Sequence, residues 1–288
     1  MDRERILLQL DTDDHPSVFD SIVAIDSGEV QRLLSHHNVT RHNVRSLVHG
    51  AMFTRSADEL RETAIFIGGT DVAAAEAVLE EVVRTFFGPL RVAVMIDPSG
   101  ANTTAAAAVV AATKHMKLAG KQGLVLGATG PVGQRVVRLL ALEKAKLRVA
   151  SRTLERSKGV CATVAKKVDD AELEPVSTTA PEELKKALQG VEFVIAAGAA
   201  GIELLPSAVR EETETLQLAI DLNAVPPLGI GGIEVSDRGV DRGGVKCYGA
   251  LGVGAIKMRL HKLAIKLLYD RRDQVLDAEE LYEIGRGL

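Results

Sequence analysis

Leu124-Val125-Leu126-Gly127-Ala128-Thr129-Gly130-Pro131-Val132-Gly133 is the stretch whose reading decides the fold. Its apolar start reads as a short strand buried in a parallel sheet. Glycines then recur at three-residue spacing, and Gln134 to Leu142 carries apolar residues at helical period. Strand, glycine turn and helix in that order form the phosphate-binding corner of a Rossmann-type unit. Gly130 lets the backbone approach a pyrophosphate, and Gly133 lets the helix pack close to the strand. The N–H groups that open the helix attract phosphate charge. Gly127, Thr129, Gly130, Pro131, Val132 and Gly133 are therefore candidate dinucleotide-binding residues. Ala128 departs from the stricter G-x-G-x-x-G form, so the pattern alone is a weak signal. A tight βα turn without a ligand would also satisfy it.

The next strand, Leu147 to Ala150, identifies the nucleotide. Sites selective for NAD place a carboxylate about 20 residues after the glycines, on the adenosine ribose. Here the strand ends in Ser151-Arg152-Thr153, followed by Arg156 and Lys158. Arg152 is suited to fork onto a 2′-phosphate, with Ser151 or Thr153 donating a hydroxyl and Arg156 adding charge. NADP is favoured over NAD. Phe193 to Ala196 followed by Ala197-Gly198 repeats the pattern of a strand and then small residues. Ala197 and Gly198 would pass beneath the cofactor, though tight packing explains them equally well.

Further strands are read at Ile6–Leu10, Ala64–Ile67, Arg91–Ile96, Val191–Ala196 and Leu216–Leu222. Between strands lie helical patterns: one opening at Pro16 with Val18, Phe19 and Ile22 on its buried side, one capped by Asp71, and an Ala-rich one through Met116. Later come Leu154–Val168, Pro181–Leu188, a long helix from about Ala255 to Asp270, and a last one capped by Asp277. Residues 26–58 read as polar and irregular. Alternating strands and helices predict an α/β protein with parallel sheets in two lobes. The expected division is an N-terminal α/β domain over residues 1–102, completed by a C-terminal helix in 272–288, and a Rossmann-type NADP-binding domain over 103–271.

Apolar residues make up 46% of the 288 and charged residues 26%, the balance of an ordinary globular protein. A formal net charge of −4 gives no reason to expect nucleic acid or an anionic membrane as partner. The two cysteines, Cys161 and Cys247, form no metal-binding pair and read as reduced structural thiols. No metal is expected. The charged start is no signal peptide, and the apolar run Ala105–Ala112 is too short for a bilayer. A cytoplasmic protein is expected.

Further segments carry a resemblance. They are Asp11-Thr12-Asp13 with Pro16-Ser17-Val18-Phe19-Asp20, then Phe86-Phe87-Gly88-Pro89, and Ser99-Gly100-Ala101-Asn102-Thr103-Thr104. Late in the chain stand Asn223-Ala224-Val225-Pro226-Pro227-Leu228-Gly229-Ile230-Gly231-Gly232 and Gly249-Ala250-Leu251-Gly252-Val253-Gly254. Together with the glycine turn, these resemble the NADP-dependent methylene-tetrahydromethanopterin dehydrogenases of bacterial one-carbon metabolism. The resemblance implies hydride transfer from methylene-tetrahydromethanopterin to NADP, in some members also to NAD, giving the methenyl carrier. It also implies a cleft between the lobes and a homo-oligomer built on a trimer.

That reaction transfers no proton, because a carrier nitrogen absorbs the positive charge left on the methylene carbon, so no general base is needed. The sequence shows no convincing catalytic dyad. A shikimate-type dehydrogenase would want a lysine in the first lobe, and the first 100 residues contain none. Lys257 and Asp20 are the candidates for positioning the substrate. Pro16, Ser17, Asn102, Thr103 and His261 are candidates for binding it, and Asn223 is counted with the cofactor-binding residues. Lys257 and His261 lie four apart on one helical face. Bland alternatives stand beside these: a solvated carboxylate for Asp20, a helix cap for Asn102 and Thr103, a surface lysine for Lys257. The rival functions are a methylene-tetrahydrofolate dehydrogenase and a non-catalytic NADP-binding sensor.

Overall fold

The computed structural model describes residues 3–288, which divide into two compact α/β units. Unit 1 comprises residues up to Thr103 together with Met258–Leu288, and unit 2 comprises Thr104–Lys257.

Unit 1 holds β1 (Ile6–Asp11), α1 (Val18–Asp26), β2 (Arg32–His36), α2 (Val44–Phe53), β3 (Thr63–Gly68), α3 (Val72–Thr85) and β4 (Ala93–Ile96). Its described strands form a parallel sheet in the order β12-β4-β3-β1-β2, with β12 (Val275–Leu276) returning from the end of the chain. β3 and β4 are buried along their whole length, as continuous apolar runs in parallel sheets are. Leu8, Leu10, Ile65, Ile67, Val94 and Ile96 pack against Val44 and Val48 of α2 and Val78 and Val82 of α3.

Unit 2 follows α4 (Ala101–Thr113) with β5 (Gln122–Leu126), α5 (Pro131–Leu142), β6 (Lys146–Ser151), α6 (Leu154–Ala165), β7 (Leu173–Ser177) and α7 (Pro181–Ala187). Then come β8 (Phe193–Ala196), α8 (Ser207–Glu211), β9 (Leu218–Asp221), β10 (Arg238–Arg242) and β11 (Val245–Tyr248). The sheet order is β10-β11-β9-β8-β5-β6-β7, parallel except for the β10–β11 pair. α9 (Ala250–Leu267) begins in unit 2 and ends in unit 1, and α10 (Ala278–Arg286) closes the chain, capped by Asp277.

Several sequence expectations need correction. Residues 258–271, expected in the nucleotide-binding domain, pack within unit 1. There His261 stacks on Phe66, and Lys262 pairs with Asp26 at 3.0 Å. Residues 26–58 are not irregular, since they contain β2 and α2. β2 is an edge strand with no fully buried position, so no apolar alternation announced it; its pairing to β1 holds it. α1 starts after Ser17 rather than at Pro16, and its stripe points outward: Val18 is 70% exposed, Phe19 52% and Ile22 54%. Ser17 sets that rotation. Its hydroxyl accepts the Asp20 N–H, its own N–H donates to Asp11, and Val23 and Ala24 then face inward.

Candidate functional site

Each sheet has one topological switch point, where successive connections leave in opposite directions, and such points are where α/β sheets bind ligands. In unit 2 it lies between β5 and β8, because β6 and β7 lie to one side of β5 and β8 and β9 to the other. Pairing of Leu126 with Ala196 brings Gly127 beside Ala197-Gly198. Gly127 has φ +68°, and a Cβ there would stand 2.5 Å from Gly198 Cα. A Cβ on Gly133 would lie 2.6 Å from the Gly127 carbonyl oxygen, so this glycine seats α5 on the turn. Gly130 differs: its nearest prospective neighbour is 3.8 Å away. It caps α5 with no side-chain hydrogen bond, and Pro131 occupies the first turn, where a missing N–H costs nothing. Val132 follows, half-buried, and the Thr129 carbonyl is held by Gln134 Nε2 at 2.9 Å. The turn therefore offers an open helix N-terminus with space before it.

At the end of β6, Ser151 is buried, while Arg152 and Arg156 are exposed. The Arg152 carbonyl accepts the Thr179 hydroxyl at 2.7 Å, which fixes the backbone. Thr153 caps α6, its hydroxyl accepting the Arg156 N–H. Among the described residues no carboxylate pairs with the Arg152 guanidinium. Asn223 is not available in the same way. Its Nδ2 donates to the Pro227 carbonyl at 3.1 Å and its Oδ1 accepts the Val225 N–H at 2.9 Å, so the side chain shapes the loop. Asp221, at the end of β9, accepts the N–H groups of Asn223 and Ile230 at 3.0 and 2.9 Å; burial pushes its carboxyl up despite those bonds. The Pro226–Pro227 peptide bond in that loop is cis. Gly249 and Gly252 bring the start of α9 against the carbonyls of Glu234, Val235 and Asp237, a packing role for the late glycine run.

In unit 1 the switch point lies between β1 and β3, with β2 on one side and β4 on the other. Asp11 pairs in register with Gly68, and its buried carboxylate accepts the N–H groups of Asp13 and Ser17 at 3.0 and 2.9 Å. Asp13 in turn accepts both the N–H and the hydroxyl of Thr70 at 3.0 Å. Gly69 has φ +117°, and a Cβ there would overlap the Thr12 hydroxyl. Asp20, one turn into α1, is half-buried, and its Oδ2 would lie 3.8 Å from a Cβ placed on Gly68. Ser17 and Asp20 thus stand at this switch point, and Pro16 immediately precedes the Ser17 cap. Sequence reasoning missed Asp11, Gly68, Gly69 and Asp97 as its framework. Gly68-Gly69 directly after an apolar strand was the available signal.

Asn102 and Thr103 are interior residues. Both backbone N–H groups donate to Asp97 Oδ1, at 2.9 and 3.0 Å, and the Thr103 hydroxyl donates to Asp97 Oδ2 at 2.6 Å. Asn102 Nδ2 reaches the Ile96 carbonyl and Asp277 Oδ1 at 2.7 and 2.8 Å. They fix the loop after β4 and tie in the cap of α10. His261 is 1% exposed with its ring stacked on Phe66, so it packs the interior of unit 1. Lys257, four residues earlier on α9, is half-buried. Among the described residues no cluster of His, Cys, Asp and Glu could hold a metal ion, and no helix is long and apolar enough to cross a membrane.

Known proteins resemble this chain. The family described as methylene-tetrahydromethanopterin dehydrogenase, N-terminal, matches residues 18–99. A bifunctional protein of Methylorubrum extorquens, MdtA, is 41% identical over 287 residues and covers 99% of both chains. From the same organism, an NAD(P)-dependent methylenetetrahydromethanopterin dehydrogenase is 30% identical over 280 residues, 94% of each chain. Among solved structures, shikimate 5-dehydrogenase of Listeria monocytogenes, in complex with shikimate and NAD, superposes with a TM-score of 0.56. It covers 98% of this chain and 96% of its own at 13% identity, a likeness of fold alone. The near-full-length identities, with the matched N-terminal region, show that the chain belongs to the methylene-tetrahydromethanopterin dehydrogenase family.

Proposed function

We propose that this chain is an oxidoreductase that oxidises methylene-tetrahydromethanopterin to the methenyl form with NADP as hydride acceptor. The observation that carries the nucleotide assignment is the β6 terminus. An exposed guanidinium with no carboxylate partner among the described residues stands where an NAD-selective site places an acid. The open turn at Gly130 supports the same reading, since a dinucleotide needs backbone N–H groups and space in front of them. NADP, when bound, supplies the hydride-accepting nicotinamide.

The residues of the chain then have three tasks. Gly127, Gly130, Gly133, Ala197 and Gly198 admit the pyrophosphate and let the backbone run close beneath it. Ser151, Arg152 and Arg156 grip the 2′-phosphate through charge-assisted bonds, each contributing about 1.5–3 kcal/mol. Asp20 and Lys257 orient the carrier, and the Asp20 carboxylate favours the positive charge that develops on it. No side chain has to move a proton, because the carrier loses a hydride and its own nitrogen absorbs the charge. Catalysis is then a matter of holding the reacting carbons about 3–3.5 Å apart. The working form is read as a cytoplasmic homo-oligomer based on a trimer, following its family resemblance.

The test is absorbance at 340 nm with methylene-tetrahydromethanopterin and methylene-tetrahydrofolate offered in parallel, each with NADP and then NAD. Turnover much faster with the methanopterin carrier and NADP supports the reading. Faster turnover with the folate carrier replaces the substrate, and NADP binding without turnover on either carrier replaces the enzyme by a sensor.

A further inference from the structure

Among the described residues of unit 1, two that are not glycine have positive φ, Asn38 and Ser99, and Ser99 stands at the switch point yet is left unused by the assignments above. Ser99 has φ 54° and ψ 20°, the left-handed region that disfavours any residue with a Cβ, and Gly100 follows at φ 60°. Glycine would hold the same backbone without a steric penalty, as Gly100 does. The hydroxymethyl group is all that serine adds there, and it is exposed. Among the described residues nothing hydrogen-bonds to its oxygen.

The backbone beneath that hydroxyl is pinned on both sides. Ser99 N–H donates to the Gly69 carbonyl at 2.7 Å, Gly100 N–H to the Asp97 carbonyl at 3.0 Å, and Asp97 N–H to the Ile67 carbonyl at 3.1 Å. The Asp97 carboxylate is held in turn by Asn102 and Thr103. Ser99 therefore stands at the carboxyl end of β4, its backbone bonded to the glycine pair of the switch point and its hydroxyl on an open face. Strain of this kind persists where the surroundings over-determine it, and it clusters at ligand sites.

We propose that Ser99 is a carrier-binding residue whose hydroxyl hydrogen-bonds the polar edge of the carrier's heterocycle. The proposal rests on the carrier assignment made under Proposed function. A pterin-like edge presents both carbonyl acceptors and N–H donors, and a hydroxyl serves either. Ser99→Ala removes the hydroxyl and keeps the strain; Ser99→Gly removes both.

The experiment is calorimetric titration of tetrahydromethanopterin into wild-type protein and the two variants, with steady-state kinetics and melting curves on the same samples. Both variants are expected to weaken carrier Kd and raise carrier KM about three- to tenfold. The NADP KM and kcat should stay within about twofold. Ser99→Gly should also melt above the wild type, so a folding defect cannot explain its loss. Wild-type carrier affinity in either variant overturns the proposal while leaving the carrier reading intact. A wild-type protein that fails to bind the carrier overturns both.

Discussion

The two switch points solve the same geometric problem with different materials. At the β5/β8 glycine turn the crowded contacts of Gly127 and Gly133 are backbone on backbone, against Gly198 and the Gly127 carbonyl, although the Phe193 and Leu204 side chains crowd Gly123 and Gly198 beside it. At β1/β3 they are side chain on backbone, with the Thr12 hydroxyl against Gly69 and the carboxylates of Asp11, Asp13 and Asp97 gathering N–H groups. The difference follows from what each is proposed to bind. A pyrophosphate is recognised by N–H groups and space, which any chain can offer if the residues are small. A heterocyclic carrier needs directional polar groups, which only particular side chains provide.

Substitutions can break that contrast. The largest effect is expected at Gly127→Ala, where φ +68° and the Gly198 backbone leave no room for a methyl group. A loss of roughly 2–5 kcal/mol should lower the melting temperature of unit 2 by roughly 5–15 °C, with NADP binding lost. No compensating truncation exists, because the obstacle is main chain. An unchanged melting curve would show that the turn is looser than its geometry implies.

Next is Arg152→Ala, predicted to raise the NADP KM about ten- to a hundredfold and leave the NAD KM nearly unchanged. Equal effects on both nucleotides would remove the 2′-phosphate role. Gly69→Ala should cost roughly 1–3 kcal/mol, and here a partial rescue is available. Thr12→Ala in the same chain removes the overlapping hydroxyl, so the double variant should unfold at higher urea than Gly69→Ala alone. Failure of that rescue would mean that the backbone conformation, not the side-chain overlap, limits this site.

The smallest effect concerns acid. His115 Nε2 lies 3.0 Å from the Tyr248 hydroxyl, and partial desolvation of its ring, with Lys246 and Lys114 nearby, holds its pKa below the usual 6.5. The unfolded chain therefore takes up this proton first as pH falls, so folding stability declines below about pH 6.5. The contribution is complete above that value. Urea midpoints from pH 8 to 5.5 should fall less steeply for His115→Gln than for the wild type. Parallel slopes would exclude His115 as the source.

How much of this was legible beforehand also differs between the units. The Leu124–Gly133 turn announced itself because sterics admit few residue types there, and Arg152 was conspicuous as a base where an acid is usual. The framework of unit 1 was harder to see. Asp11, Asp13 and Asp97 act through backbone N–H groups brought together by strand register, which sequence spacing does not reveal. Asn102 and Thr103 carry a distinctive motif, yet their polar atoms turn inward, Thr103 to Asp97 and the Asn102 side chain to the Ile96 carbonyl and Asp277. Apolar periodicity misled at α1, where the Ser17 cap rotates Val18, Phe19 and Ile22 outward. The β10–β11 hairpin went unseen although Gly243-Gly244, both at positive φ, marks its turn, because β10 is too polar to read as a strand.

The central claim is direct hydride transfer on a carrier oriented by the chain, with no proton moved by any side chain. The measurement that tests it most directly uses methylene-tetrahydromethanopterin deuterated at the methylene carbon, with NADP, in ordinary water. One deuteron per turnover should appear at C4 of the reduced nucleotide, and none should reach the solvent. Reduced nucleotide carrying solvent hydrogen, with deuterium released to water, would contradict the account.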